Sequence, residues 1–122
     1  MKIKVILYWG STALISLMML FSAFNYFTSP DMKAAFTHLG FPDYFRVQLG
    51  VAKILGVVAL IFPFIPVRIK EFAYFGFTIT FISAFIAHLA VGDPLSVAAF
   101  PLVTLVILAI SYYYFLKTQI NK

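Results

Sequence analysis

The sequence predicts an all-α fold, a bundle of four transmembrane helices with both termini in the cytoplasm and a short amphipathic helix in the first outer loop. Of its 122 residues, 63% are hydrophobic and 11% are charged, which is more apolar surface than a soluble domain of this size can bury in one core. Four runs with almost no charges each reach the ~20 residues needed to cross a bilayer. These predicted spans are residues 5–27, 44–65, 72–91 and 95–116, and they make residues 1–122 a single integral membrane domain.

The distribution of basic residues predicts the orientation of the spans in the membrane. Six bases lie beside the span ends that we assign to the cytoplasm, against two on the other side, so both termini are expected in the cytoplasm. The six are Lys2, Lys4, Arg68, Lys70, Lys117 and Lys122. Aromatic anchors are expected at the same interface, namely Tyr8, Trp9, Tyr74, Tyr112, Tyr113 and Tyr114. A cleaved signal peptide is the alternative for the first span, but the run is long and the cleavage motif near Ser22 is weak.

The loop after the first span has the pattern of a short helix. Ser29 is expected as its N-cap, Pro30 as its first residue and Gly40 as its end. Between them, the apolar residues Met32, Ala35, Phe36 and Leu39 follow the i, i+3, i+4, i+7 spacing of one helix face. Such a helix would lie on the outer membrane surface. It would act either as a lid over a site that opens there or as a structured connector.

The second, third and fourth spans are joined by short connections, which makes them antiparallel neighbours. Asp43 is expected to cap the second span and Pro66 to end it. Gly92 would stop the third span, and Asp93 would cap the fourth with Pro94 in its first turn. Small side chains mark the expected helix contacts: Ala52, Gly56 and Ala59 on the second span, and Ala73, Gly76, Thr80, Ser83 and Ala87 on the third.

Lys53 lies near the middle of the second span, nine residues after Tyr44 and therefore ~13 Å from the outer boundary. A charged side chain at that depth is costly and indicates a functional site by default. Helical side chains point toward the N-terminus of their helix, so the Lys53 ammonium is expected to reach toward the outer water. The alternative is that Lys53 only extends along its own helix to the surface.

Four other polar residues are expected in the same outer layer. Arg46 precedes Lys53 by two turns on one face, Asn25 is near the outer end of the first span, and His88 is near that of the third. The predicted ligand-binding residues are Lys53, His88, Asn25, Arg46 and Asp93. Each has a structural alternative: an interface anchor paired with a nearby acid for Arg46, a packing histidine, an interhelical amide contact, and a helix cap for Asp93.

Composition excludes several classes of function. Cysteine is absent, so disulfide exchange, thiolate nucleophiles and iron–sulfur ligation have no residues in this chain. The two histidines are too few to favour a metal site, and no carboxylate lies deep in a span, which argues against proton-driven export of cations. The net charge of +5 is spread over the span ends rather than gathered in a patch, so no nucleic-acid partner is predicted.

Several sequence blocks resemble the DoxX-like family. They are Gly50–Gly56, Lys70–Gly76 and His88–Pro94, with Leu39–Pro42 before the second span. The resemblance implies a four-helix bacterial inner-membrane protein and no single activity. The broader DoxX group includes a subunit of an archaeal thiosulfate:quinone oxidoreductase, and some members are linked to redox defence. His88 matches a histidine of that group, whereas Lys53 stands where a glutamate is common.

Three hypotheses for function follow. The first is a non-catalytic or accessory membrane component that binds a small hydrophobic or anionic ligand in the outer half of the bundle, with a quinone as the first candidate. The second is a membrane subunit of a quinone-linked oxidoreductase, which would need a redox partner because no cofactor motif is identified here. The third is a structural or assembly factor whose small-residue stripes bind another membrane protein or a second copy. The lipid bilayer is a partner in all three.

Overall fold

A computed structural model describes residues 2–120, which form five α-helices and one π-helical turn. The helices are α1 (Lys2–Thr28), α2 (Pro30–His38), α3 (Asp43–Ile61), α4 (Val67–Ala90) and α5 (Leu95–Phe115), and the π-helical turn is Leu116–Ile120. No strand occurs among the described residues, and the predicted all-α fold is confirmed. Lys122, one of the six orienting bases, lies outside the described residues.

Four helices are long and apolar enough to cross a membrane: α1, α3, α4 and α5 with its π-helical extension. The outside of the bundle is covered by large apolar side chains, and Phe21, Phe72 and Val106 are each more than half exposed. Water cannot solvate so large an apolar surface at acceptable cost, and helices satisfy their own backbone hydrogen bonds in lipid. The chain is a multi-pass membrane protein, with the lipid bilayer as its surroundings.

The four long helices form a closed ring. α1 packs against α3 and α5, and α4 packs against α5 and, less extensively, against α3. α2 lies against α1 and α3 at one end of this ring, together with the α4–α5 turn. We call this the α2 end. The opposite end, which holds the start of α1, the α3–α4 connection and the π-helical turn, is called the terminal end.

Apolar and aromatic side chains fill the centre of the ring. The core cluster consists of Tyr8, Ile15, Met19, Val57, Leu60, Tyr74, Phe77, Phe81, Leu108 and Phe115. The cluster contains Tyr8 and Tyr74, which were predicted to be anchors at the membrane interface and instead face the core. Tyr8 is 0% exposed and the Tyr74 hydroxyl bonds to Ser111 at 2.6 Å, because both lie on the inward stripes of their helices.

α3 ends at Ile61, four residues before the predicted end of the second span at residue 65, because Pro63 follows. The residue before a proline avoids the helical region, and Phe62 is extended, with ψ of 119°. Pro66 is then the N-cap of α4, which begins at Val67 rather than at residue 72. The α3–α4 connection is therefore the short segment 62–66.

Lys70 has a structural role that charge counting did not predict. It is 3% exposed, and its ammonium donates to the carbonyl oxygens of Ala59 (2.8 Å) and Leu60 (2.9 Å) in the last turn of α3. These carbonyls have no partner within their own helix. Lys70 thus caps α3, in addition to any effect of its charge on orientation.

We expect Lys70→Met to lower the free energy of unfolding by about 1–3 kcal/mol, because it leaves buried carbonyls without a donor. The midpoint of thermal unfolding in detergent, followed by circular dichroism, measures this. Arg68→Met is the matched control, since Arg68 lies in the same turn of α4 but is exposed. Equal midpoints for the two variants would contradict the capping role.

The helices at the α2 end stop at glycines, as predicted. Gly40 (φ 88°) follows α2 and Gly92 (φ 80°) follows α4, and only glycine adopts this region without strain. After α4, the Gly92 amide donates to Leu89 and the Asp93 amide to the His88 carbonyl at 3.0 Å, which is the Schellman pattern. The turn therefore folds Asp93 back over the end of α4.

Candidate functional site

Lys53 points into the bundle rather than into lipid. The buried face of α3 includes Gly50, Lys53, Val57 and Leu60, which follow the spacing of one helix stripe. Lys53 is 6% exposed and occupies a position where an apolar residue would pack without electrostatic cost. Its burial is the strongest indication of a site in this fold.

The Lys53 ammonium is held by α1. It donates to the Ser22 hydroxyl (2.8 Å) and the Tyr26 hydroxyl (2.7 Å), and it lies 4.1 Å from the centroid of the Tyr26 ring. No salt-bridge partner of Lys53 occurs in the part of the chain that the structure describes. An ammonium has three N–H donors, so two are satisfied by neutral groups and one remains for another acceptor.

The contacts also show which way Lys53 extends. α1 and α3 run in opposite directions, and Tyr26 is close to the end of α1 at Thr28. The ammonium therefore reaches from the middle of α3 toward the α2 end, as the general direction of helical side chains predicts. Ser22 and Tyr26, one turn apart on α1, receive it.

Arg46 holds the end of α1 in place. Its guanidinium bonds to the Asp43 carboxylate at 3.0 Å and donates to the backbone carbonyl of Tyr26. That carbonyl belongs to the last turn of α1, where an outside donor is needed. Asp43 is the first residue of α3 and not its cap, since the N-cap is Pro42. Arg46 thus contacts the same residue as Lys53, through its backbone.

α2 covers this cluster from the α2 end. The Phe36 side chain is buried, and its ring lies 4.9 Å from the Tyr26 ring in an edge-to-face arrangement. Phe41 and Phe45 pack on Phe36 with centroid distances of 6.0 and 6.4 Å. The Tyr26 ring therefore separates the Lys53 ammonium from α2.

His88 lies beside Asp93 and not beside Lys53's hydroxyl partners. The His88 Nδ1 is 2.7 Å from one oxygen of the Asp93 carboxylate, and the His38 Nε2 is 2.8 Å from the other. His38 is the last residue of α2, so Asp93 links α2 to the end of α4. Hydrogen bonds from His88 and then from His38 lower the pKa of the Asp93 carboxyl. We call these three residues the His–Asp–His latch.

The latch corrects the expected role of Asp93 as the cap of the fourth span. The N-cap of α5 is Pro94, and α5 makes no side-chain cap hydrogen bond. The Schellman turn at Gly92 turns the Asp93 carboxylate toward His88 instead. Among the described residues, no group of three or more metal-binding side chains is arranged around a common point.

The five predicted residues thus fall into separate contacts. Lys53 and Arg46 meet at Tyr26, and His88 meets Asp93. Asn25 is half-buried near the end of α1, where its backbone carbonyl oxygen accepts a hydrogen bond from the Ser29 backbone amide at 2.9 Å. Three residues of these contacts, Ser22, Tyr26 and His38, were not among the predicted site residues. Ser22 and Tyr26 could have been found as a polar i, i+4 pair inside an apolar span, but their pairing with α3 depends on how the helices pack.

A groove of about 350 Å³ runs between α3 and α4, and we call it the α3–α4 groove. Lys53 is among its lining residues, with Ala52 and Gly56 from α3 and Ala73, Gly76 and Thr80 from α4. The small-residue stripes predicted from the sequence therefore face each other, yet they are not packed tightly along their length. At Gly56 the Phe77 ring fills the space, while at Gly76 no atom lies within 4 Å of where a Cβ would be.

A second cavity, of about 310 Å³, lies between α4 and α5 and is lined by Glu71, Tyr74 and Tyr112 among others. Its charged group is already paired, since the Tyr112 hydroxyl donates to Glu71 at 3.2 Å. Nearby, Ser111 is bonded to Thr12 (2.7 Å) and Tyr74 (2.6 Å) in the core. The α4–α5 cavity therefore offers less to a ligand than the α3–α4 groove, which reaches a buried cation.

A family model described as the DoxX-like family matches residues 10–111 of the chain. No curated protein and no solved structure matches it significantly. The matched range contains Ser22, Tyr26, Lys53 and the whole latch, so it covers the candidate site as well as most of the bundle.

Proposed function

The chain belongs to the DoxX-like family, and we propose that it binds a small hydrophobic or anionic ligand at Lys53, with a quinone as the first candidate. The observation that carries the proposal is the Lys53 ammonium, which is buried among neutral groups with one N–H donor left over. A carbonyl oxygen or an anion is the acceptor that such a donor requires.

The surroundings of Lys53 suit a polar head group on an apolar molecule. Ser22 and Tyr26 accept hydrogen bonds from Lys53, so two hydroxyl groups lie beside its ammonium. Lys53 also lines the α3–α4 groove, whose walls are mostly apolar. Ligand sites commonly combine apolar walls with a few convergent polar groups.

The other predicted residues take supporting roles in this proposal. Arg46 fixes the end of α1 and hence Tyr26, while His88 and Asp93 hold α2 over the site through His38. Asn25 stands at the rim near the same end of α1. We place the α2 end outside the cell and both termini in the cytoplasm of the inner membrane, because Lys2, Lys4, Arg68 and Lys117 lie at the terminal end.

The test is the thermal stability of detergent-purified protein with a panel of quinones and small anions. A ligand at a hundred times its Kd stabilises the folded state by about 2.7 kcal/mol, and we expect such a shift for the wild type but not for Lys53→Met. Without ligand, Lys53→Met should be as stable as the wild type or more so, because a buried charge is replaced by an apolar group of similar length.

Lys70→Met is the matched control, since it removes a second buried lysine that bonds to the last turn of α3 and not to Ser22 or Tyr26. It should keep the ligand-induced shift although its own stability is lower. An equal shift in Lys53→Met and the wild type would remove Lys53 from the site, and a wild type that no compound stabilises would overturn the proposal.

A further inference from the structure

The approach to Lys53 is not equally open on all sides. From the α2 end it is covered by the Tyr26 ring and by Phe36 of α2 behind it. On the side of α4, the α3–α4 groove reaches Lys53 and is open toward lipid, where Ala52 and Gly76 are exposed. The route that the fold leaves to Lys53 therefore leads from the bilayer.

We infer that the α3–α4 groove holds the apolar chain of the ligand whose head group binds Lys53. This inference rests on the proposed function and narrows its ligand class to an amphiphile with an oxygen-bearing head and a linear or prenyl-type tail. Such a molecule enters sideways from the lipid, between α3 and α4. A small water-soluble anion has no use for the groove.

The dimensions and walls of the groove support a tail. Its volume of about 350 Å³ lies at the lower end of the roughly 300–1,000 Å³ typical of ligand pockets. Ala52, Ala73 and Gly76 keep it open, since larger side chains at these three positions would close it. α3 and α4 also pack less extensively than α1 with α3 or α4 with α5, so the groove lies along the least closed contact of the ring.

A second copy of the chain is a less suitable occupant. Small-residue faces do pack against other transmembrane helices. An apolar helix in this groove would however cover Lys53 without supplying an acceptor for its remaining N–H, and a buried donor without a partner is costly. A ligand with a head-group oxygen and an apolar chain would fill the groove and also accept a hydrogen bond from Lys53.

The substitution Gly76→Leu is expected to close the groove. Gly76 lines the groove, and nothing lies within 4 Å of a Cβ built at this position, so Gly76→Leu adds volume at the groove wall without a clash at its Cβ. Gly10 is the matched control, because a Cβ there also meets nothing within 4 Å but it lies on the exposed face of α1, outside the groove.

The experiment compares a quinone without a tail and the same quinone with a prenyl tail, both isotope-labelled, for binding to the protein in lipid nanodiscs. Affinities are expressed per mole fraction of quinone in the bilayer, because partition into lipid alone favours the tailed compound. We expect Gly76→Leu to weaken binding of the tailed quinone by roughly tenfold. It should leave the tailless quinone unaffected, Gly10→Leu should change neither, and Lys53→Met should weaken both.

The possible results separate the two proposals. If Lys53→Met weakens binding while Gly76→Leu does not affect the tailed quinone, the groove is not the tail site and the Lys53 site stands. If only Gly76→Leu matters, the groove stands and the role of Lys53 is wrong. If the wild type is a dimer that Gly76→Leu dissociates, the groove is an interface and the inference is overturned. Absence of binding by the wild type overturns both.

Discussion

Alanine at position 56 should destabilise the bundle, although alanine favours a helix more than glycine does. A Cβ built on Gly56 would lie 2.6 Å from Cζ and 2.7 Å from Cε2 of Phe77, distances at which atoms overlap. Phe77 is itself a buried core residue, so its ring must shift against the core to make room. Overpacking of this kind costs about 1–3 kcal/mol, and Gly56→Leu should cost more and lower the yield of folded protein.

Two other glycines serve as controls for Gly56→Ala. Gly10→Ala and Gly76→Ala add the same methyl group in open space, so each should be neutral or stabilising by up to ~1 kcal/mol. Thermal unfolding of the three variants in one detergent measures the difference in sign. If Phe77→Leu restores the stability of Gly56→Ala in the double variant, the clash with that ring is the cause. Equal behaviour of all three alanine variants would show that α3 and α4 do not approach closely at Gly56.

Asp93→Asn should loosen α2 from the bundle. An amide has one acceptor oxygen and no charge, so it cannot accept strong hydrogen bonds from both His88 and His38 as the carboxylate does. We expect hydrogen exchange of the α2 amides to become several-fold faster, while exchange in the four long helices stays the same. Asp31→Asn is the control, because Asp31 is an exposed acid in the first turn of α2 with no part in the latch.

Acid should have the same effect on the wild type. The pKa of Asp93 is lowered by its hydrogen bonds from His88 and His38, so the folded state binds this proton less readily than the unfolded state. The latch therefore contributes its full stability at pH above the ordinary carboxyl pKa of about 3.9, and loses it as the pH falls through the lower folded value. If α2 exchange were independent of pH in this range after correction for intrinsic rates, Asp93 would not hold α2.

The class of fold could be predicted from the sequence because the bilayer is the main cause of this fold. Long apolar runs, a short amphipathic segment and glycines at two turns each predict one element, and no knowledge of neighbouring helices is needed. The predicted end of α3 was too late because it relied on Pro66, whereas Pro63 already forces Phe62 out of the helix. The bounds of a span depend on such local breaks and not on hydropathy.

The candidate site was predictable only in part. The depth and direction of Lys53 follow from its place in α3, and the proximity of His88 to Asp93 follows from the turn between them. The partners on other helices do not follow, because they depend on how each helix rotates about its axis when the ring closes. Ser22 and Tyr26 for Lys53, and His38 for Asp93, are contacts across 31, 27 and 55 residues of sequence.

The early end of α3 also limits the membranes that suit this protein. With 19 residues, α3 is ~28 Å long, close to the ~30 Å of an average hydrocarbon layer. α4 has 24 residues and is ~36 Å long, so it is long enough to tilt or to extend into the head groups. A thicker bilayer would therefore strain α3, the shorter of the two neighbouring helices, first. Lipid chain length should therefore act on the contact between α3 and α4 before it acts on the rest of the ring.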